Sequence, residues 1–208
     1  MVANPKHNYT LEEYFDLERN SEERYEFWDG EIFCMSGASE MHDEIETNII
    51  SYLKPRLADS KCRVFSANMR SKVPSMPPYR YGDVAALCGK AEFEKIGGVD
   101  TLVNPSLIIE ILSASTEAYD RGEKFRHYKS IESFCEYVLI AQERAHVTQI
   151  SRRADGEWVY RDFTEMEASV NLSSMNCELG LSEIYRSVEF PPFVAPPLMN
   201  HRSRVRRS

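Results

Sequence analysis

Long apolar runs are missing from this chain of 208 residues. The longest, such as Leu107 to Leu112 with Glu110 inside it, is about six residues, far below the roughly 18 that a membrane-crossing helix needs. The opening residues, Met1-Val-Ala-Asn-Pro-Lys-His-Asn, lack the apolar stretch of a secretory signal. A soluble, cytoplasmic protein without a membrane partner is expected. Cysteine is sparse: the five are odd in number and at least 26 residues apart. That spacing excludes a zinc knuckle, and the odd count argues against a disulfide framework, so five reduced core thiols are expected. Basic charge is also in short supply, with 25 Lys and Arg against 33 Asp and Glu and a net charge of -8. An acidic body repels phosphate and weighs against tight non-specific nucleic-acid binding. No internal repeat divides the chain.

What is present supports one domain with a real core: 42% of residues are apolar, including 10 Phe and 11 Tyr. The domain is expected over residues 1–191. The Pro- and Arg-rich segment 192–208 reads as a flexible tail. Thr10 and Glu13 form a capping-box pattern for a short helix to about Glu18. Two strands around Asp29-Gly30 read as a hairpin. Ser39 opens a long helix, in which Met41, Ile45, Ile49, Leu53 and Leu57 recur every four residues, and Pro55 marks its end. Strands are predicted at 62–65, 69–73, 80–88 and 107–112, with 91–105 as a connecting loop. A second helix begins at Asp120, with Asp120 as cap and Glu123 as box partner. A strand at 136–141, an antiparallel ribbon at 147–152 and 157–163, and a helical turn at 181–185 complete the pattern. This order predicts a mixed α/β (α+β) fold: one central mixed β-sheet flanked by two main helices, with an N-terminal helix-hairpin and a C-terminal β-ribbon.

Two carboxylates lie where carboxylates are expensive. Every neighbour of Glu110 in Leu107-Ile-Ile-Glu-Ile-Leu112 is aliphatic, and a run apolar on both faces is a buried central strand. An unpaired acid there costs several kcal/mol, so it needs a cation, a donor or a proton. Asp83 stands in a similar setting in Tyr79-Arg-Tyr-Gly-Asp-Val-Ala-Ala-Leu87. If the two strands are neighbours, the acids can meet and make a hard-cation site for magnesium or manganese. Lys124, early in the following helix, is the cation placed to orient a water. The competing structural readings are a strand-edge hydrogen bond for Asp83 and a buried pair with an arginine such as Arg126 for Glu110. Two basic segments stand out from the acidic background. Residues 51–75 carry six bases against Asp59, and residues 121–129 carry four against Glu123. Within them Lys54, Arg70, Lys72 and Arg121 are candidate contacts to a phosphate backbone, although solvated faces look the same.

An ordered set of motifs then resembles the Uma-two family of restriction-endonuclease-like, PD-(D/E)XK, nucleases. The set is Glu26…Asp29-Gly-Glu-Ile, Met35-Ser-Gly-Ala-Ser…His42, Tyr81-Gly-Asp-Val, Asn104-Pro-Ser-Leu-Ile-Ile-Glu-Ile-Leu-Ser-Ala-Ser-Thr, Tyr119-Asp-Arg-Gly-Glu-Lys-Phe…Tyr128 and Glu136-Tyr-Val-Leu-Ile. It runs from about Tyr9 to Pro191. The resemblance implies a restriction-endonuclease-like core, with Asp83 as the motif aspartate and Glu110 as the motif glutamate. Gly82 replaces the usual proline. Leu112 stands where the superfamily's lysine is usual, and Lys124 fits the migrated lysine on the next helix. It further implies a magnesium-dependent endonuclease acting on DNA. Asp83, Glu110 and the carbonyl of Ile111 would be metal ligands, and Lys124 would position water. Glu26, His42 and Glu46 are secondary site candidates, and Tyr128 reads as core. A homodimer is expected of a nuclease that cuts both strands. Two rival readings remain: a non-catalytic nucleic-acid-binding or regulatory protein on the same scaffold, and another magnesium-dependent phosphoester hydrolase.

Overall fold

The computed structural model describes residues 8–192 apart from Asp29, Ser36, Met76 and Pro77. The tail expected from 192 onward lies almost wholly outside the described residues. Helix α1 (Leu11–Asn20) opens on the expected capping box. Thr10 Oγ1 accepts from the Glu13 N–H at 3.2 Å, and the Glu13 carboxylate accepts from the Thr10 N–H at 2.7 Å. Strands β1 (Tyr25–Trp28) and β2 (Glu31–Cys34) form the N-terminal hairpin. Helix α2 (Glu40–Arg56) is capped by Ser39, whose Oγ accepts from the His42 N–H, and it ends one residue after Pro55. Its Ile45, Ile49, Leu53 and Leu57 are buried, while Met41, at the head of the stripe, is only half-buried.

The chain continues through β3 (Cys62–Ser66), β4 (Arg70–Lys72), β5 (Tyr79–Tyr81), β6 (Val84–Cys88), β7 (Phe93–Ile96), β8 (Val99–Leu102) and β9 (Leu107–Leu112). A helical segment, 117–128, follows as α3 (Glu117–Tyr119), a π-helical turn (Asp120–Lys124) and α4 (Phe125–Tyr128). Then come β10 (Glu136–Ala141), β11 (Val147–Arg152), β12 (Trp158–Phe163), β13 (Ser169–Leu172), β14 (Cys177–Gly180) and α5 (Leu181–Ile184). The central sheet has the order β12-β11-β10-β9-β6-β3. Only β9 and β10 run parallel; the other pairs are antiparallel.

Alternation along β9 divides the core in two. Leu107, Ile109 and Ile111 pack with α2, the β13–β14 hairpin and α5. Ile108 and Leu112 pack with Phe125 and Tyr128 of α4 and with Tyr137. Glu110 belongs to this second face. In β10, Glu136 is wholly buried and accepts from Gln149, from the Ser173 and Ser174 N–H groups and from Ser174 Oγ. Four donors leave this acid without need of a cation, and they tie the β13–β14 turn to the sheet.

The structure corrects several sequence readings. The predicted strand 80–88 is two strands, because β5 joins a second sheet of order β5-β4-β8-β7 while β6 joins the central one. Gly82 and Asp83 form the break. A Cβ on Gly82 would lie 2.7 Å from Ile108 Cγ2, so only glycine lets the chain cross over β9 here. Gly82→Ala should destabilise the fold by about 1–3 kcal/mol through overpacking, read from urea unfolding midpoints. The predicted loop 91–105 contains the β7–β8 hairpin, turned by Gly97 and Gly98 at φ +60° and +89°. Asp120 does not cap a helix: helical backbone starts at Glu117, and Asp120 lies inside the segment. The five thiols are not all reduced and buried. Cys62 and Cys88 are opposite partners on β3 and β6 and are joined by a disulfide, Cys34 is exposed, and Cys135 and Cys177 are half-buried.

Candidate active site

The crossover at Gly82-Asp83 delivers Asp83 to the C-terminal half of β9. Asp83 Oδ2 accepts from the Ile111 N–H at 2.6 Å and faces His42 Nε2 at 3.3 Å. One residue back along β9, Glu110 is 2% exposed. Its Oε2 accepts from Lys124 Nζ at 2.8 Å and its Oε1 from the Tyr128 hydroxyl at 3.0 Å. Lys124 also lies 3.6 Å from Asp120 Oδ1. The partner of Glu110 is therefore Lys124 and not Arg126, which pairs with Glu123 at the surface. Asp120, Lys124 and Tyr128 follow one another at four-residue intervals on the segment that covers the strand face carrying Glu110. The π-helical turn between the first two widens the backbone where Lys124 reaches inward.

Asp83, Glu110, Ile111, Asp120 and Lys124 all line one cleft of about 740 Å³. Its lining also includes Glu26 and Phe33 of the hairpin, His42 and Glu46 of α2, Tyr119 and Gln142. The three secondary candidates thus reach the same cleft. Glu26 is buried and accepts from the Tyr81 N–H at 2.9 Å. Glu46 accepts from the Ala67 N–H at 3.2 Å. Sequence reading gave no site role to Asp120, Tyr128 or Gln142. The first two carried a usable signal, because they stand one turn either side of Lys124. Gln142, which accepts from Ser39 Oγ at 2.8 Å, carried none.

Charge in the cleft is unbalanced toward acid. Burial pushes the Glu46 and Asp120 carboxyls up, and the neighbouring Asp83 pushes both further. Burial pushes Glu110 up as well, with Lys124 pulling against it. Both Glu110 oxygens accept hydrogen bonds, which is the pattern of an ionised carboxylate. Burial would lower the Lys124 pKa, but Glu110, Glu26 and Asp120 hold it well above the ordinary lysine value, so the ammonium keeps its proton. Asp83 resists burial because His42, Lys124 and the Ile111 N–H hold its carboxyl below the usual range.

The donors fit a hard divalent cation: carboxylate oxygens on Asp83 and Glu110, a main-chain carbonyl on Ile111, and surplus negative charge that a cation would relieve. Asp83 Oδ1 has no protein donor among the described residues. Also among them, no group of three or more His, Cys, Asp or Glu side chains has metal-holding geometry. A magnesium-like ion, held by one or two carboxylates and completed by water and substrate oxygens, suits this arrangement; a three-ligand zinc centre does not.

His42 has its own pH signature. Burial lowers its pKa, but the Asp83 hydrogen bond and charge, with Glu46 and Asp43, raise it overall. A raised histidine stabilises the fold below its unfolded pKa of about 6.5 and loses that effect as pH rises through the folded value. A lowered aspartate stabilises above about 3.9 and loses the effect as pH falls through its folded value. With divalent ions chelated, the stability gap between wild type and His42→Gln should therefore be widest between about pH 4 and 6.5 and should narrow on either side. Thermal unfolding across that range checks it.

The candidate phosphate contacts fare differently. Arg70 is buried and bound to Glu18 at 2.9 Å and to the Ile96 and Val99 carbonyls, so it is a structural strut and not a nucleic-acid contact. Lys72 is paired with Glu94 at 2.7 Å, and Arg121 with Glu117 at 2.8 Å and Thr148 at 3.3 Å. Lys54 is exposed, away from the cleft.

A mixed sheet with α2 on one face and the 117–128 segment on the other, opening a cleft beside β9, defines the restriction-endonuclease-like nuclease class. The same fold is seen in the crystal structure of a putative nuclease belonging to DUF820 from Anabaena variabilis ATCC 29413, with a TM-score of 0.68 at 18% identity, covering 85% of this chain and 97% of that one. The chain belongs to the Uma2 family, described as "Putative restriction endonuclease", whose profile matches residues 11–182. Relatives in Synechocystis sp. (strain ATCC 27184 / PCC 6803 / Kazusa) include the uncharacterized protein slr1290, 27% identical over 86% of this chain and 92% of that protein. The uncharacterized protein sll1609 is 30% identical over 80% of this chain and 93% of its own length. No helix among the described residues is long and apolar enough to cross a membrane.

Proposed function

We propose that the protein is a magnesium- or manganese-dependent endonuclease that hydrolyses DNA phosphodiester bonds in the cleft beside β9. The observation that carries this reading is the 2.8 Å pair between Lys124 and Glu110 in the cleft onto which Asp83 opens. It brings together two acids and a cation even though Leu112 occupies the usual lysine position. Asp83, Glu110 and the carbonyl of Ile111 would hold the metal, which when bound sharpens a water nucleophile and neutralises phosphodiester charge. Lys124 keeps its proton and orients water or meets negative charge growing on the phosphoryl oxygens. Tyr128 fixes the rotamer of Glu110, and His42 with the Ile111 N–H fixes that of Asp83. Cleavage of both strands calls for two copies, and light scattering would measure the expected homodimer.

The test is nicking and linearisation of plasmid DNA with magnesium by wild type, Asp83→Ala and Glu110→Ala. Each variant should lose about a thousandfold or more, and equal activity in all three would sink the reading. One observation favours a second, non-catalytic reading as a nucleic-acid-binding or regulatory protein: both Glu110 oxygens are already held by protein donors. Calorimetric titration with manganese separates the two, because the nuclease reading requires binding that Asp83→Ala removes. Mononucleotides assayed beside DNA would reveal a different phosphoester hydrolase.

A further inference from the structure

We infer that the open edge of the central sheet at β3 is a second DNA contact, gripping the phosphodiester backbone about four base pairs from the cleft. The inference rests on the nuclease reading and extends it to the path of the substrate. Strand β3 is the last of its sheet. Along it lies a groove of about 400 Å³ whose lining includes Lys54, Leu57, Arg63 and Phe65.

Charge is the first argument. Residues 51–66 carry Lys54, Arg56, Lys61 and Arg63 against the single acid Asp59, in a chain of net charge -8. All four bases are exposed. An acidic body repels DNA generally, so a local basic edge decides where a duplex can approach. Availability is the second argument. Arg70, Lys72 and Arg121 are each in an ion pair with a protein carboxylate, whereas Lys54, Lys61 and Arg63 are in no ion pair among the described residues. The Arg63 guanidinium lies over the rings of Phe65 and Phe93, at 4.8 and 5.6 Å from their centroids, and Phe93 is 39% exposed. Stacking fixes the planar group while leaving its N–H edge available to phosphate oxygens.

Continuity with the cleft is the third. Strand β3 runs from Arg63 toward Ala67, which lines the catalytic cleft, a span of four residues or about 13 Å. Helix α2 runs back from Glu46 in the cleft to Lys54 at the groove, eight residues or about 12 Å. Both elements bridge the same interval, which at 3.4 Å per base pair is about four base pairs.

The test is fluorescence anisotropy of a labelled duplex of about 20 base pairs in EDTA, so that binding is read without cleavage, over a series of salt concentrations. Lys54→Ala/Arg63→Ala is compared with Arg153→Ala/Arg161→Ala, which removes the same charge from exposed positions on the β11–β12 ribbon at the opposite end of the sheet. The first variant should lower the slope of log affinity against log salt by about two and weaken low-salt binding about tenfold. The control should match wild type. Hydrolysis of bis(p-nitrophenyl) phosphate with manganese should be unchanged in both, since this small diester fills only the cleft. An unchanged slope in Lys54→Ala/Arg63→Ala, equal losses in the two double variants, or absence of salt-dependent binding by wild type would overturn the edge contact. Failure of the nuclease reading shows separately, as wild type that binds DNA but cleaves neither plasmid nor the small diester.

Discussion

Replacing Lys124 with methionine should lower folding stability by about 3–5 kcal/mol at pH 8 and reduce magnesium-dependent cleavage by about a hundredfold or more. The stability loss follows from what remains. Glu110 is buried in the central strand with Lys124 and Tyr128 as its donors. Without the ammonium, one hydroxyl faces an ionised carboxylate in a hydrocarbon setting. The acid then escapes by binding a proton: burial already raises its folded pKa, and loss of the ammonium raises it further above the unfolded value of about 4.3. A group with a raised folded pKa stabilises below its unfolded pKa and loses that effect as pH rises through the folded one. The defect of Lys124→Met should therefore shrink as pH falls from 8 toward 4, and urea unfolding at several pH values measures it. Adding Glu110→Gln should recover much of the stability, because the amide oxygen still accepts from Tyr128 and the buried charge at position 110 is gone. Cleavage should stay absent in the double variant, which separates the structural from the catalytic part of the pair.

Strands β9, β10 and β11 were legible almost to the residue. The apolar run at β9 leaves no other reading, and β10 and β11 are likewise bounded by their own chemistry. The capping chemistry at Thr10 and Ser39 is local, and local signals survive folding. What the chain does between Tyr79 and Val84 is set elsewhere: Gly82 is needed because of Ile108, on a strand about twenty-five residues later. A strand that changes sheets looks, in sequence, like one strand. The β7–β8 hairpin escaped because its residues are largely exposed and alternate weakly.

For the site, an acid among aliphatic residues was the informative feature, because burial of charge demands a reason that physical chemistry can name. That argument led to Asp83, Glu110 and Lys124, which the fold gathers at one cleft. Composition alone could not grade the basic residues, because a base satisfied by buried protein acceptors and a base available to phosphate share the same letter. Arg70 and Arg63 illustrate this. Both lie over aromatic rings, yet one is buried against Glu18 of helix α1 and the β7–β8 turn while the other faces solvent.

Replacing Arg70 with methionine should accordingly cost about 3–5 kcal/mol of stability without altering the salt slope of DNA binding. Its guanidinium is 2% exposed and lies 4.0 Å from the Tyr79 ring. It donates to Glu18 Oε2 at 2.9 Å and to the Ile96 and Val99 carbonyls at 2.7 Å each. Glu18 in turn accepts from the hydroxyls of Tyr79 and Tyr81. One arginine thus fastens α1 to the second sheet and closes the two carbonyls that flank the Gly97-Gly98 turn. Methionine keeps most of the apolar stem contact but takes the cationic donor from a half-buried carboxylate and from two carbonyls. Adding Glu18→Gln should recover part of the loss, since both tyrosines can donate to the amide oxygen. The two carbonyls still lack the guanidinium donor, so recovery should be incomplete. Amide hydrogen exchange should show the residual defect concentrated in residues 93–102, at the hairpin those carbonyls belong to, and not at the Asp83–Glu110 cleft.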